Sequence, residues 1–312
     1  MHIITSKTGR TIFKPLFVLV NWMCPRFPKL IINIRFWMRE KRFPNLKDPQ
    51  TLNEKILWLA LNTDTTEWSR LSDKCAVRDY IKDCGLDEIL VKQYKVWDDA
   101  WQIDFTDLPQ SFILKTTYGS GVKMIRDKSQ YDINEIRKMY HDLDKNFMIT
   151  SSAEKHYLRV PHRIIADEVL INDPVSKQYS QTLIDYKIWC FNGKVHYIWV
   201  CMNRFVTNKD GAEVMLYDRD WNPKPEYCAV TPDFTLAKPI PKPNGYEHML
   251  EVAEKLSRPF PVVRCDLYNL DGKVYFGEMT FTSYGGIMDF YTKEFQQIAG
   301  DLIDLSGVEV KK

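Results

Sequence analysis

The alternation of apolar and polar residues across Val262–Gly286, VVRCDLYNLDGKVYFGEMTFTSYGG, constrains this chain more than any other feature. Read at period 2, it predicts two consecutive strands of a half-buried hairpin. The join Leu270-Asp271-Gly272 reads as a three-residue loop, with glycine where a left-handed conformation is needed. That register opposes Asn269 and Lys273 and turns Arg264, Asp266, Glu278 and Thr280 to one face. Two carboxylates and a guanidinium on one sheet face are costly to bury alone. A divalent cation with a phosphate would satisfy them, because hard oxygen donors hold Mg²⁺ and arginine meets the anion. A solvated strand face carrying weak surface ion pairs explains the same residues equally well at this point.

At 312 residues the chain is long enough for two lobes or domains. Aromatic residues make up 13% of it, which argues against disorder. The seven cysteines are scattered and lack CxxC spacing, so they read as reduced thiols of a cytoplasmic protein and not as a zinc site or disulfide framework. The histidines form no HExxH pair. Charge is uneven: residues 1–45 hold nine Lys and Arg against the single Glu40, whereas the remainder holds 34 basic and 40 acidic residues. The basic segment also carries the apolar runs 15–23 and 30–37. Both are too short to span a bilayer, and no small-residue cleavage site follows the first. Such a segment suits the interface of an anionic membrane, or a helix pair packed on the body of the protein. Nucleic acid is a poorer partner, because the basic residues are confined to one end.

The remaining pattern mixes helices with antiparallel hairpins, so an α+β class fits better than a doubly wound parallel sheet. A helix is predicted within 44–62, with Thr51 as N-cap and Glu54 completing a capping box. Others are predicted over Ser72–Cys84, Asp132–Asn146 and Tyr246–Leu256. Strands are predicted at Ile89–Tyr94, Ser111–Lys115, Val122–Ile125 and Arg163–Leu170, with a hairpin of Ile184–Phe191 and Val195–Met202 around Asn192-Gly193. Residues 222–245 read as an irregular connection.

Several weaker motifs carry chemistry. Lys115 ends a strand that runs into the loop Gly119-Ser120-Gly121, whose backbone N–H groups could approach phosphate oxygens. A plain glycine turn between strands is the commoner explanation. The strand ending Asp167-Glu168-Val169-Leu170 could mark a hinge whose backbone reads an adenine edge, or a solvated strand end. Asp185 and Lys187 share one strand face. Lys74 and Arg78 are like charges four residues apart on a helix, an arrangement favoured only when something anionic lies near.

The order of these motifs resembles the ATP-grasp superfamily: a lysine and glycine loop, an apolar strand with an acidic end, a hairpin lysine, then R-x-D and E-x-T. The closer resemblance is to the family typified by the teichuronopeptide biosynthesis protein TupA. It rests on Asp48–Trp58 (DPQTLNEKILW), Asp73-Lys74 with Arg78, Asp185–Gly193 (DYKIWCFNG) and Arg264–Thr282, and spans roughly residues 45–305. The resemblance implies two α+β lobes clamping ATP, preceded by a basic N-terminal helical extension over 1–45 and followed by a tail at 306–312, with a hinge near 167–172. It implies that Lys115 and Lys187 hold the α- and β-phosphates with Lys74 also binding ATP, that Gly119, Ser120 and Gly121 close over the γ-phosphate, and that Asp167, Glu168, Val169 and Leu170 read adenine. Asp266, Glu278 and Thr280 would hold Mg²⁺ and Arg264 would be catalytic. Thr280 stands where the superfamily has an asparagine. Thr282, Ser283, Gly285 and Gly286 resemble the loop closing the acceptor site.

The activity so implied is an ATP- and Mg²⁺-dependent carboxylate–amine ligase. The carboxylate would be a hexuronic acid and the amine an amino acid, in bacterial surface polysaccharide synthesis. A glycosyltransferase and a sugar kinase on the same fold are the alternatives. The protein would be cytoplasmic, with residues 1–45 a candidate peripheral membrane contact.

Overall fold

β-branched and aromatic residues at period 2 build two sheets in this chain, seen in a computed structural model that describes residues 14–149, 151–204, 211–229 and 231–311. Residues 1–13 of the basic segment and Lys312 of the tail lie outside the described residues. The smaller sheet has four strands, β1 (Gln93–Trp97), β2 (Phe112–Thr116), β3 (Val122–Ile125) and β4 (Ile164–Asp167), in the order β1-β4-β2-β3. All of its pairings are antiparallel. The larger has six: β5 (Asp185–Phe191), β6 (Lys194–Met202), β7 (Ala212–Asp218), β8 (Phe234–Leu236), β9 (Val262–Leu270) and β10 (Lys273–Thr280). Their order is β10-β9-β5-β6-β7-β8, antiparallel except for the β7–β8 pair. The α+β class follows directly.

Each sheet has its own core. Ile136 and Tyr140 of the helix Ile133–Lys145 cover the smaller one together with Phe112, Leu114 and Ile164. On the larger sheet, Met249, Val252, Ala253 and Leu256 of the helix Tyr246–Ser257 pack with Ile188, Cys265 and Leu267. The helix Leu52–Asn62 starts at a complete capping box formed by Thr51 and Glu54, as its sequence predicts. Glu54 is buried and its carboxylate also accepts from Arg42 and from the backbone of Asn45 and Gln50. All seven cysteines are free.

The basic segment forms two helices, α1 (Lys14–Arg26) and α2 (Pro28–Glu40). They are packed on the body: Cys24 and Ile31 meet Ile149, while Ile32 and Phe36 meet Leu57, Ala153 and Ile287. Other expectations shift. The strand expected at Ile89–Tyr94 begins only at Gln93, because Asp87–Ile89 closes a 3₁₀ turn. The helix expected from Ser72 begins at Val77, since Asp73 is the C-cap of the preceding helix Thr66–Ser72 and its side chain takes the N–H of Cys75. β7, β8 and the last helix, Lys293–Asp301, are elements that the sequence reading does not contain.

The β9–β10 hairpin departs from its expected register in an instructive way. Its loop has two residues, Asp271 (φ 50°) and Gly272 (φ 90°), the left-handed pair of a type I′ turn. Leu270 therefore opposes Lys273, and an uninterrupted ladder would turn Glu278 and Thr280 away from Arg264 and Asp266. A bulge between Phe276 and Glu278 restores the alignment, so that Glu278 opposes Asp266 and Thr280 opposes Arg264. The extra residue is Gly277. A Cβ there would lie 2.9 Å from the carbonyl oxygen of Asp266. Gly277→Ala should therefore lower unfolding stability by about 1–3 kcal/mol, measured by urea denaturation. An unchanged midpoint would show that the bulge does not require glycine.

Candidate active site

Lys187 of β5 stands opposite Asp266 of β9, which stands opposite Glu278 of β10, so three adjacent strands put these side chains on one face. Arg264 grips Asp266 with two parallel hydrogen bonds of 2.7 Å, from Nε to Oδ1 and from Nη2 to Oδ2. Lys187 Nζ bridges Asp266 and Asp185, 2.6 Å from an oxygen of each. Arg204 reaches the same Oδ2 of Asp185 at 3.0 Å. Arg264 also donates to Ser283 Oγ and, at 3.3 Å, to Thr280 Oγ1, and its Nη2 lies 3.9 Å from Glu278. Opposite charges thus alternate from Arg204 to Glu278. Burial alone would raise the Asp266 carboxyl, but Arg264 and Lys187 hold it below the usual carboxylate range. Burial likewise opposes the Lys187 ammonium, yet Asp185 and Asp266 push it above its ordinary value.

These residues fit a Mg²⁺ ion that is shared with phosphate. A carboxylate offers about four lone-pair sites, and three N–H donors occupy Asp266. Glu278 is the accessible member, its side chain 45% exposed, and the Thr280 hydroxyl donates to its Oε1 at 3.3 Å. One or two carboxylates completed by substrate phosphates is how Mg²⁺ is usually bound. Among the described residues no group of three His, Cys, Asp or Glu side chains converges, so phosphate oxygens would have to complete the shell. The Thr280 hydroxyl, between Arg264 and Glu278, is placed to orient the carboxylate.

Beside this face a narrow cleft opens between the smaller sheet and the hairpin. Lys74, Lys115 and Asp167 supply its polar wall, and Leu90, Val91 and Phe276 an apolar one. Lys115 is 3.0 Å from Asp167. Lys74 donates to the carbonyl of Gly119, and among the described residues no carboxylate lies within ion-pair distance of it. Burial pulls the Lys74 pKa down, partly countered by the Glu278 carboxylate of the hairpin. The loop tip at Gly119 and Ser120 is exposed, while Gly121 is fixed through both its N–H and its carbonyl to Thr116. In the strand-end segment, Glu168 gives its backbone N–H to Lys92.

The segment after the hairpin turns sharply. Tyr284, Gly285 and Gly286 all have positive φ, at 51°, 68° and 81°. A Cβ on Gly285 would meet Ser151 at 2.7 Å, and one on Gly286 would meet Leu57 at 2.8 Å. Ser151 Oγ donates to the Gly285 carbonyl, and Ser283 receives Arg264. Thr282 Oγ1 is buried and has no hydrogen-bond partner among the described residues. The four loop residues expected from sequence are therefore tied to the charged face through Ser283.

The sequence reading missed His156, which lies buried against Trp68 and Phe281 just behind this loop. Burial pushes its pKa down to about 4, the Ala153 backbone offsetting little, with Arg159 adding repulsion. It is therefore neutral in the fold, whereas the unfolded chain takes up a proton near pH 6.5. Stability should fall as pH drops from about 6.5 toward 4, by about 3 kcal/mol at the lower end. His156→Phe should flatten that limb in urea midpoints measured across this range; an unaltered slope would refute the assignment.

A family model described as TupA-like ATPgrasp matches residues 54–304. The chain belongs to the TupA-like ATP-grasp family. No curated protein matches the sequence. Among solved structures, an L-amino acid ligase from Bacillus licheniformis shows 12% identity, with 96% of this chain and 64% of that chain covered at a TM-score of 0.47. A D-alanine–D-alanine ligase from Bacillus anthracis shows 13% identity over 70% of this chain and 60% of that chain, at 0.42. The ADP complex of N5-carboxyaminoimidazole ribonucleotide synthetase shows 12% identity over 70% of this chain and 46% of that chain, at 0.43. The TupA-like chain spans less than two thirds of each of these chains. Its fold assignment stands on the family match together with the two sheets described above.

Proposed function

We propose that this protein is an ATP-dependent carboxylate–amine ligase. The observation that carries the reading is the cross-strand constellation of Arg264, Asp266, Glu278 and Lys187 beside a cleft holding Lys74, which lacks a carboxylate partner within reach among the described residues. Triphosphate in that cleft would pair Lys74 and Lys115, and adenine would rest on Leu90, Val91 and Phe276. Asp266 and Glu278 would hold Mg²⁺, which supplies neutralisation of phosphate charge. A substrate carboxylate oxygen attacks the γ-phosphorus, ADP leaves, and an acylphosphate forms. The amine then attacks the acyl carbon, loses a proton and expels inorganic phosphate. Arg264, held by Asp266 and Ser283, would stabilise the charge that develops on the transferring group.

The choice of a hexuronic acid and an amino acid, in bacterial surface polysaccharide synthesis, rests on the resemblance to TupA. A metal-binding D-x-D is the feature a glycosyltransferase would need, and Asp218-Arg-Asp220 fits by spacing alone. Asp218 is spent on a turn: it accepts from the backbone of Asp220 and Asn222 and pairs with Lys224. Product analysis tests the proposal. Equal amounts of ADP and phosphate with an amide product support it, whereas a stable phosphorylated sugar would make the protein a kinase.

A further inference from the structure

Helix α2 is apolar on two sides. Its inner side carries Ile32 and Phe36 into the body, and Arg39 donates to the carbonyl of Ile287 at 3.1 Å. Its outer side carries Leu30, Ile34, Trp37 and Met38, spaced i, i+4, i+7 and i+8, which is one helical stripe. These four are 44–58% exposed. Leu19 and Trp22 of α1, and Phe27 and Phe43 next to the helices, are exposed as well. Contiguous large apolar side chains on an outer surface mark a docking site.

The charges around this patch decide what it meets. Arg26, Lys29 and Lys41 flank it along the chain, and between residues 14 and 43 the only acidic residue is Glu40. The Arg26 guanidinium lies over Trp22 at 4.5 Å and the Lys41 ammonium over Trp37 at 5.5 Å, so cations and indoles share the outer edge. The residues before α1 add Lys7 and Arg10 by sequence. A second copy of this chain would bring the same positive charge against itself. No helix among the described residues is long and apolar enough to cross a membrane. Tryptophan, leucine and isoleucine flanked by lysine and arginine match the interface of an anionic bilayer, where indoles lie at headgroup depth and cations meet lipid phosphates.

We infer that the outer stripe of α2, with the exposed end of α1, docks on an anionic lipid surface. Arg39, on the opposite side of the same helix, holds the segment that follows the Tyr284–Gly286 turn and leaves the outer stripe free of the body. The inference is independent of the ligase reading, because it uses no site residue. The test is co-sedimentation of the full chain with phosphatidylcholine vesicles, with and without phosphatidylglycerol. The chain should partition to the anionic vesicles and be released by salt. A Leu30→Gln, Ile34→Gln, Trp37→Gln variant with the parent's thermal transition should bind about tenfold or more weakly. Should that variant unfold, Lys29→Glu with Lys41→Glu should give a similar loss. A parent chain that stays in the supernatant overturns the inference, as does undiminished binding by the folded variants. So does a parent dimer that the triple variant dissolves, since a second copy would then own the patch.

Discussion

Arg264→Lys is expected to lower ATP-dependent ADP formation by about 10²–10³-fold while the chain stays folded. Lysine keeps the positive charge, so Asp266 is not left as a bare buried carboxylate. It cannot keep the fork. Arginine reaches both oxygens of Asp266 at 2.7 Å and extends its outer nitrogens to Ser283 and Thr280. An ammonium is a point donor on a flexible stem and cannot hold that planar set of contacts. The comparison therefore separates charge from geometry. A loss smaller than about tenfold, with ATP affinity unchanged, would mean that the guanidinium only fastens the sheet.

Lys187→Met is expected to have the largest effect on stability. The ammonium is 2.6 Å from both Asp185 and Asp266, and its removal leaves two buried carboxylates sharing one cation fewer. Breaking a buried ion pair from one side costs roughly 3–5 kcal/mol. The lower end applies here because Arg264 and Arg204 still hold one carboxylate each. Urea denaturation at neutral pH reads this directly. The pH dependence follows from the directions of the shifts. Lys187 is raised in the fold, so its contribution is full below its unfolded pKa near 10.4 and is lost only as pH rises through the higher folded value. Asp266 is lowered, so its contribution is full above about 3.9 and is lost as pH falls through the lower folded value. The difference between parent and variant should stay level from about pH 5 to 9 and shrink in acid. A deficit that vanished at neutral pH would contradict this account.

Local pattern made much of this site legible. Alternation in Val262–Thr280 placed four polar side chains on one face, and the capping box at Thr51 and Glu54 marked a helix start. The register itself was not legible. A two-residue turn and a bulge at Gly277 each shift the pairing by one residue, and only together do they restore the face that a three-residue loop also predicts. β7 escaped notice because Val214–Tyr217 is a continuous apolar run, buried on both faces and without alternation. In the basic N-terminal segment, α2 packs on the body with one apolar side and presents another outward, a division that its run of apolar residues alone does not apportion. The electrostatic influence of Glu278 on Lys74, about two thirds of the chain away, is purely tertiary, and no local spacing announces it.

ADP release measures the central claim most directly. The parent chain would be given ATP, Mg²⁺, a panel of amino acids and a glucuronate- or galacturonate-bearing acceptor, alongside Glu278→Ala. The account predicts ADP and phosphate release that requires both the carboxylate and the amine, and its collapse in Glu278→Ala. Full release by Glu278→Ala, or turnover of a nucleotide sugar without ATP, would contradict it.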